Sequence, residues 1–290
     1  MEDRLKIALC FSGQPRNVRK CQKIISRSLI ENSHEVDVYA HLWWDPSYKN
    51  EIIRFEMNNR YEENEDEVFS ELYKPKKILL EKQKNFDVSH YHTSAAGANK
   101  FETGVSAFNN ISMWYSLRKS FELALEQKVE YDMYVRCRTD LVFIEDVKWE
   151  ELDPSVLYVG DGRIAGYDRL YGDWFAASDL TGMKKYVSIG RRFEELNSPR
   201  MMHMHDFMQK SLIDCGIKVD NDKFSPELSM MIPEIDSCLD EEGSIKIEKF
   251  RSMWREGKLR ESLQSIPVQD YENFAESYMP HYWKSSGRQS

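Results

Sequence analysis

The chain has 290 residues, 41% of them hydrophobic and 12% aromatic, with a net charge of -9. Such a composition supports a sizeable core and excludes a disordered or low-complexity polymer. The acidic balance argues against broad nucleic-acid or anionic-membrane binding, although a local basic pocket for phosphate needs no basic protein.

Five cysteines (Cys10, Cys21, Cys137, Cys215 and Cys238) form an odd count without CxxC spacing, the pattern of buried free thiols in a reducing compartment. The opening MEDRLKIALCFSG carries too short an apolar run for a signal peptide. Nowhere does a run approach the ~18 apolar residues of a membrane span. These features predict a cytoplasmic protein, which would meet a membrane only peripherally if its substrate were lipid-linked.

In chain order, LKIALCF (5–11) is a buried strand stopped by Ser-Gly-Gln-Pro. Residues 17–30 show helical spacing through Val18, Cys21, Ile24, Ile25 and Leu29. EVDVYAHLWW (35–44) is a second strand, a polar helical stretch runs to about residue 72, and KKILLE (76–81) is a third strand. Residues 84–104 lack periodicity, the mark of a functional or disordered loop. A helix follows on Phe108, Ile111, Trp114, Leu117, Phe121 and Leu125. Next come YDMYVRCRTDLVFI (131–144), VLYVGD (156–161) and DWFAAS (173–178), then helical stretches near 180–196 and 204–215. The tail from 244 to 263 reads as a mixed-charge amphipathic helix. Its pattern would suit a homodimer or a peripheral membrane contact, and a solvated face is the favoured explanation.

Strands alternating with helices predict an α/β fold: a Rossmann-type, mainly parallel sheet flanked by helices, with C-terminal helical elaborations. One domain over 1–290 is expected, with a nucleotide-binding half (1–145), an acceptor-side half (146–243) and a C-terminal helix and tail (244–290).

Ligands of open α/β sheets bind beyond the carboxyl ends of the strands. There, SGQPRN offers a tight turn at Gly13, hydrogen-bonding groups on Ser12 and Gln14, and Arg16 for phosphate. It is neither a Walker loop nor a GxGxxG fingerprint, and an ordinary strand-to-helix turn capped by Asn17 explains it equally well. Trp43 and Trp44 suit either a sugar or base wall or the core, and His41 stays unassigned.

In the fourth long strand, Arg136, Arg138 and Asp140 recur at every second position and so share one face. Burying three charges is costly unless they pair with one another or face a polar ligand. The carboxylate suits a divalent cation bridging nucleotide phosphates. An internal Arg–Asp ladder is the alternative. Further on, Asp168 and Asp173 lie among glycines and tyrosines. His203, His205 and Asp206 cluster at a helix start, where Asp206 also fits as a cap.

The ordered set FSGQPRN, VDVYAHLWW, NNISMWYSLRKSFEL, YDMYVRCRTDLVF and GDWFAAS, over about residues 5 to 178, resembles bacterial and large-virus glycosyltransferases that build surface polysaccharide. Those sequences run "sGQpR", "D-x-F-x-H-x-W", "S-M-x-Y-S" and "YD-x-x-x-R-x-R-x-D". The resemblance implies a GT-A-type fold that takes a nucleotide-sugar donor and a glycan or glycolipid acceptor, with Mn²⁺ or Mg²⁺ on a short acidic motif. Such enzymes commonly carry Asp-x-Asp, where this chain reads Arg138-Thr139-Asp140. Either the metal is dispensable or its other ligands come from elsewhere, with His281 the candidate beside Asp140. The resemblance further implies nucleotide-sugar contacts at Ser12, Gly13, Gln14, Arg16 and Arg118, with Arg136 and Arg138 neutralising phosphate. Asp173 would lie near the donor or acceptor sugar. In an inverting reaction Asp206 or Asp173 would serve as base, Asp206 being favoured because it begins a helix after the loop region. A nucleotidyltransferase making the nucleotide-sugar would need a Gly-rich signature loop that SGQPRN matches poorly. A carbohydrate-binding protein would not need the aligned charges.

Overall fold

The computed structural model describes residues 4–32, 34–48, 52–54, 59–60, 64–87, 104–161, 171–195, 208, 211–221, 223, 226–228 and 233–258. In chain order, β1 (Lys6–Gly13), α1 (Val18–Ile25) and β2 (Glu35–Trp43) precede a small antiparallel pair, β3 (Ile52–Arg54) and β4 (Asn59–Arg60). Then come α2 (Glu65–Tyr73), β5 (Lys77–Glu81), α3 (Gly104–Leu125), β6 (Met133–Cys137), β7 (Leu141–Phe143), β8 (Leu157–Asp161), β9 (Tyr171–Ser178) and α4 (Leu180–Glu195). Short β10 (Val219–Asp220), β11 (Pro226–Leu228) and α5 (Ile247–Arg255) follow.

Seven strands form one sheet in the order β10-β8-β9-β6-β1-β2-β5. All share one direction except β9, which runs antiparallel to both β6 and β8. The expected α/β fold with a mainly parallel sheet is therefore what the chain adopts, and strands from both halves of the sequence share that sheet. β1 sits at its centre and is apolar along its length because both faces are covered.

Period-two alternation sorts the side chains into two cores. Ile7, Leu9, Phe11, Met133, Val135 and Cys137 face the side covered by α1 and α2, where Val18, Cys21, Ile24, Ile25 and Phe69 also pack. Ala8, Cys10, Tyr39, Tyr134 and Ala176 face the other side, where α3 supplies Trp114, Leu117 and Phe121 and α4 supplies Tyr186 and Ile189.

Three expectations change. β6 ends at Cys137, and Thr139 and Asp140 lie in a turn, so strand parity does not carry from Arg136 on to Asp140. Trp43 and Trp44 are both buried, so neither walls an open site. The apolar face of α5 turns inward: Phe250 joins the core beside α1, and Arg27 and Arg251 both pair with Asp146. The predicted tail helix beyond residue 258 lies outside the described residues. All five cysteines are free, and four are buried. Among the described residues no helix is long and apolar enough to cross a membrane.

Candidate active site

The SGQPRN loop leaves the carboxyl end of β1 and is held from two sides. Gly13 takes φ 109°, a conformation that favours glycine, and its N–H donates to Ser116 Oγ of α3 at 2.7 Å. On the other side, Thr139 Oγ1 accepts the Arg16 N–H at 2.9 Å and donates to the Arg16 carbonyl at 2.9 Å. Within the loop, Gln14 Oε1 accepts from Arg16 Nε at 2.9 Å. Asn17 is the residue before α1, as expected, but it is left-handed at φ 50° and makes no side-chain cap bond.

Ser116 also reaches β2. His41 is fully buried, with Nδ1 at 2.7 Å from Ser116 Oγ and Nε2 at 2.8 Å from Glu81 Oε2. Burial lowers the His41 pKa, outweighing the pull of Glu81 in the opposite direction. A neutral ring donating Nε2–H to Glu81 and accepting the Ser116 hydroxyl at Nδ1 satisfies every group in the chain. Glu81 also accepts from Lys84 at 2.9 Å and from Tyr115 at 3.0 Å. Burial pushes the Glu81 carboxyl up, and the hydrogen bonds from Lys84, His41 and Tyr115 overcome it, holding it at about 2. Tyr115 stacks on Trp43 with ring centroids 5.3 Å apart, and the Arg118 guanidinium lies 5.6 Å from the same ring. Arg118 also lies 3.8 Å from Glu122 on its own helix.

Arg136 behaves differently. It projects to the α3/α4 face, where its strand neighbours Cys10 and Ala176 are small enough to leave room for a guanidinium. It is 1% exposed, and among the described residues its Nε and Nη1 have no hydrogen-bond partner. Among the described residues, buried polar atoms without partners on that side include Ser12 Oγ, Trp43 Nε1, Trp114 Nε1 and Tyr186 OH. The Trp114 and Tyr186 rings meet at 5.3 Å. Burial pushes the Tyr186 phenol up to about 12, with Arg136 pulling it down and Asp173 pushing it further up, so all three are in electrostatic reach. Asp173 sits beside a kink where β8 and β9 shift register. Trp174 closes over Gly160 and Gly172 there, and a Cβ at either would come within 2.8 Å of the indole. Buried donors without partners are costly in a folded protein.

The structure therefore splits the trio of charges read from the sequence. Arg138 grips Asp140 with both arms, Nε to Oδ1 at 2.9 Å and Nη2 to Oδ2 at 2.6 Å, and Asp140 is 1% exposed. Burial opposes the Arg138 charge, and the carboxylates of Asp140 and then Asp173 more than offset it, so its pKa rises. An Mn²⁺ or Mg²⁺ ion needs several free oxygens, and both of those on Asp140 are committed to Arg138. Among the described residues no group of three or more His, Cys, Asp and Glu could hold a metal, so the described donor set does not fit one. Asp168, His203, His205, Asp206 and His281 lie outside the described residues.

Sequence reasoning missed the hub residues Ser116 and Thr139 and left His41 aside. A signal was present: Gly13, His41, Trp43, Tyr115, Ser116 and Thr139 fall in the motifs that carried the resemblance. In the fold these motifs meet, Ser116 tying Gly13 to His41 and Thr139 tying the loop to the end of β6.

Fold and site together define an α/β protein whose mostly parallel sheet presents a pinned loop and an unpaired, buried guanidinium at its carboxyl edge. No family profile and no curated protein matches the chain. Among solved structures it is similar to the apo-form glycosyltransferase GlyE of Streptococcus pneumoniae TIGR4, with 11% identity and a TM-score of 0.35 over 76% of this chain. This chain spans 46% of that protein. So distant a likeness assigns neither an activity nor a site.

Proposed function

We propose that the protein transfers a sugar from a nucleotide-diphosphate sugar to a hydroxyl of a glycan or glycolipid acceptor. The observation that carries this reading is Arg136, a guanidinium 1% exposed with Nε and Nη1 unpartnered. It stands one residue before the carboxyl end of β6, where open α/β sheets bind ligands. A diphosphate offers the acceptor oxygens that Arg136 and the Ser12 hydroxyl lack, and charge-assisted bonds of this kind strengthen as the leaving group gains charge. Gly13, without a side chain, lets the donor approach the loop closely. Arg16 adds positive charge, and Arg118 with Tyr115 borders the same edge. Asp173, which acts electrostatically on Arg138 and on Tyr186 as Arg136 does, is the described carboxylate placed toward the sugar in this reading and serves as base in an inverting reaction. The resemblance of four motifs to surface-polysaccharide glycosyltransferases supports the same reading, since those motifs converge on this edge.

A thermal-shift panel of UDP-, GDP-, dTDP- and CMP-sugars, run on the wild-type chain and on Arg136→Gln, tests it. A ligand at about 100 times its Kd adds about 2.7 kcal/mol to the native state, a shift of several degrees. One diphosphate sugar is expected to raise the wild-type melting temperature and to leave Arg136→Gln unmoved. No shift with any donor would overturn the proposal.

A further inference from the structure

We infer that this site meets the leaving diphosphate with arginine charge and works without a divalent cation, Asp140 acting as a positioning residue that holds Arg138. The inference rests on the glycosyl-transfer reading above. The carboxylate that the resemblance assigns to a metal has both oxygens bound in parallel by Arg138, at 2.9 and 2.6 Å, and is itself 1% exposed. A two-bond guanidinium–carboxylate pair is the strong form of this contact, so recruiting Asp140 to a metal would strand Arg138. The turn is also locked, because Thr139 Oγ1 bonds the Arg16 backbone at both N–H and carbonyl. Arg138 and Asp140 cancel each other's charge in place. Arg136, buried and unpaired, and Arg16 in the neighbouring loop then supply the positive charge.

In the step itself, a lone pair of the acceptor hydroxyl forms the new bond to the anomeric carbon as that carbon's bond to the β-phosphate oxygen breaks. The bonding pair stays on the phosphate oxygen, and the nucleoside diphosphate departs against Arg136. The hydroxyl proton passes to Asp173 and on to water. No electron acceptor and no metal-bound species enters the balance.

The test is calorimetric titration of the full chain, stripped with EDTA, using inorganic pyrophosphate and UDP as probes, in excess EDTA and again with MnCl₂. Equal affinity in the two conditions is expected. Arg136→Gln should weaken pyrophosphate binding by about tenfold or more, the effect of losing a charge-assisted bond. Asp140→Asn, which leaves the Arg138 charge uncancelled, should bind pyrophosphate with the same affinity in EDTA and in Mn²⁺, and a Mn²⁺-dependent gain in the wild-type chain that this substitution removes would place Asp140 on a metal instead. Binding that appears only with Mn²⁺ would overturn this inference and leave glycosyl transfer standing. No binding of either probe in either condition would overturn both. The comparison of EDTA with Mn²⁺ on wild-type protein decides even if a variant does not fold.

Discussion

Two sets of polar side chains lie at the carboxyl edge of the sheet and differ in how far the described residues complete their bonds. Around β2 and β5, Ser116, His41, Glu81, Tyr115 and Lys84 form a closed chain in which each group has a partner. Around β1 and β6, Ser12, Arg136, Trp114 and Tyr186 are more deeply buried than Glu81, Tyr115 and Lys84, yet each keeps at least one polar atom with no partner among the described residues. A closed network rigidifies its surroundings, whereas an open one costs stability until something binds. The first set positions the loop, and in the proposed function the second receives the diphosphate. The Arg138–Asp140 pair belongs with the first set, although it lies beside the second.

Breaking the closed side should cost the most. Arg138→Met would strand the Asp140 carboxylate in the interior, and urea denaturation should show a loss of about 3–5 kcal/mol. Ser116→Ala removes a partner of the Gly13 N–H and of His41, and a loss of about 1–3 kcal/mol is expected in the same measurement. Binding of the donor should weaken with it, because the loop loses one of its two anchors.

Acid should separate the two sides as well. His41 is depressed in the folded state, so below its ordinary value of 6.5 the unfolded chain takes up a proton that the folded chain resists, and stability falls as pH drops. Glu81 is depressed from 4.5 to about 2, so its contribution is complete above pH 4.5 and is lost as pH falls toward 2. Both act in the same direction. Melting temperature against pH should decline below 6.5, and His41→Gln should flatten the upper part of that decline. A wild-type profile flat between pH 6.5 and 4 would break the assignment of a neutral His41.

The smallest effect on the fold is expected on the open side. Arg136→Met removes a buried guanidinium whose Nε and Nη1 find no hydrogen-bond partner among the described residues, so stability should stay level or rise by up to about 1 kcal/mol while donor binding disappears. A marked loss of stability would show instead that Arg136 belongs to the closed set.

Much of the frame was legible in the chain. The apolar runs of β1 and β2, the helical spacing of α3 and the alternation in β6 all correspond to observed elements. The site's location at the strand ends followed from topology, and Ser12, Gly13, Gln14, Arg16 and Arg136 do gather there. The partners were not legible. Gly13 and Ser116 are separated by 103 positions, and Arg16 and Thr139 by 123, distances at which no local pattern signals a hydrogen bond. That Arg138 alone, and not Arg136 as well, pairs with Asp140 was open for a local reason. Period-two reasoning assumes that the strand continues, and β6 stops at Cys137, so the following turn lets two side chains two residues apart grip each other.

By itself the sequence determined the alternation of elements, the two-faced burial of the central strands and the concentration of charge near the end of β6, because these depend on periodicity along one chain. Only the tertiary structure decided which of those charges are satisfied. Hydrogen-bond completion depends on atoms that α3, β5 and the β6–β7 turn bring from elsewhere in the chain, and it is what separates Asp140, held by Arg138, from Arg136, left open.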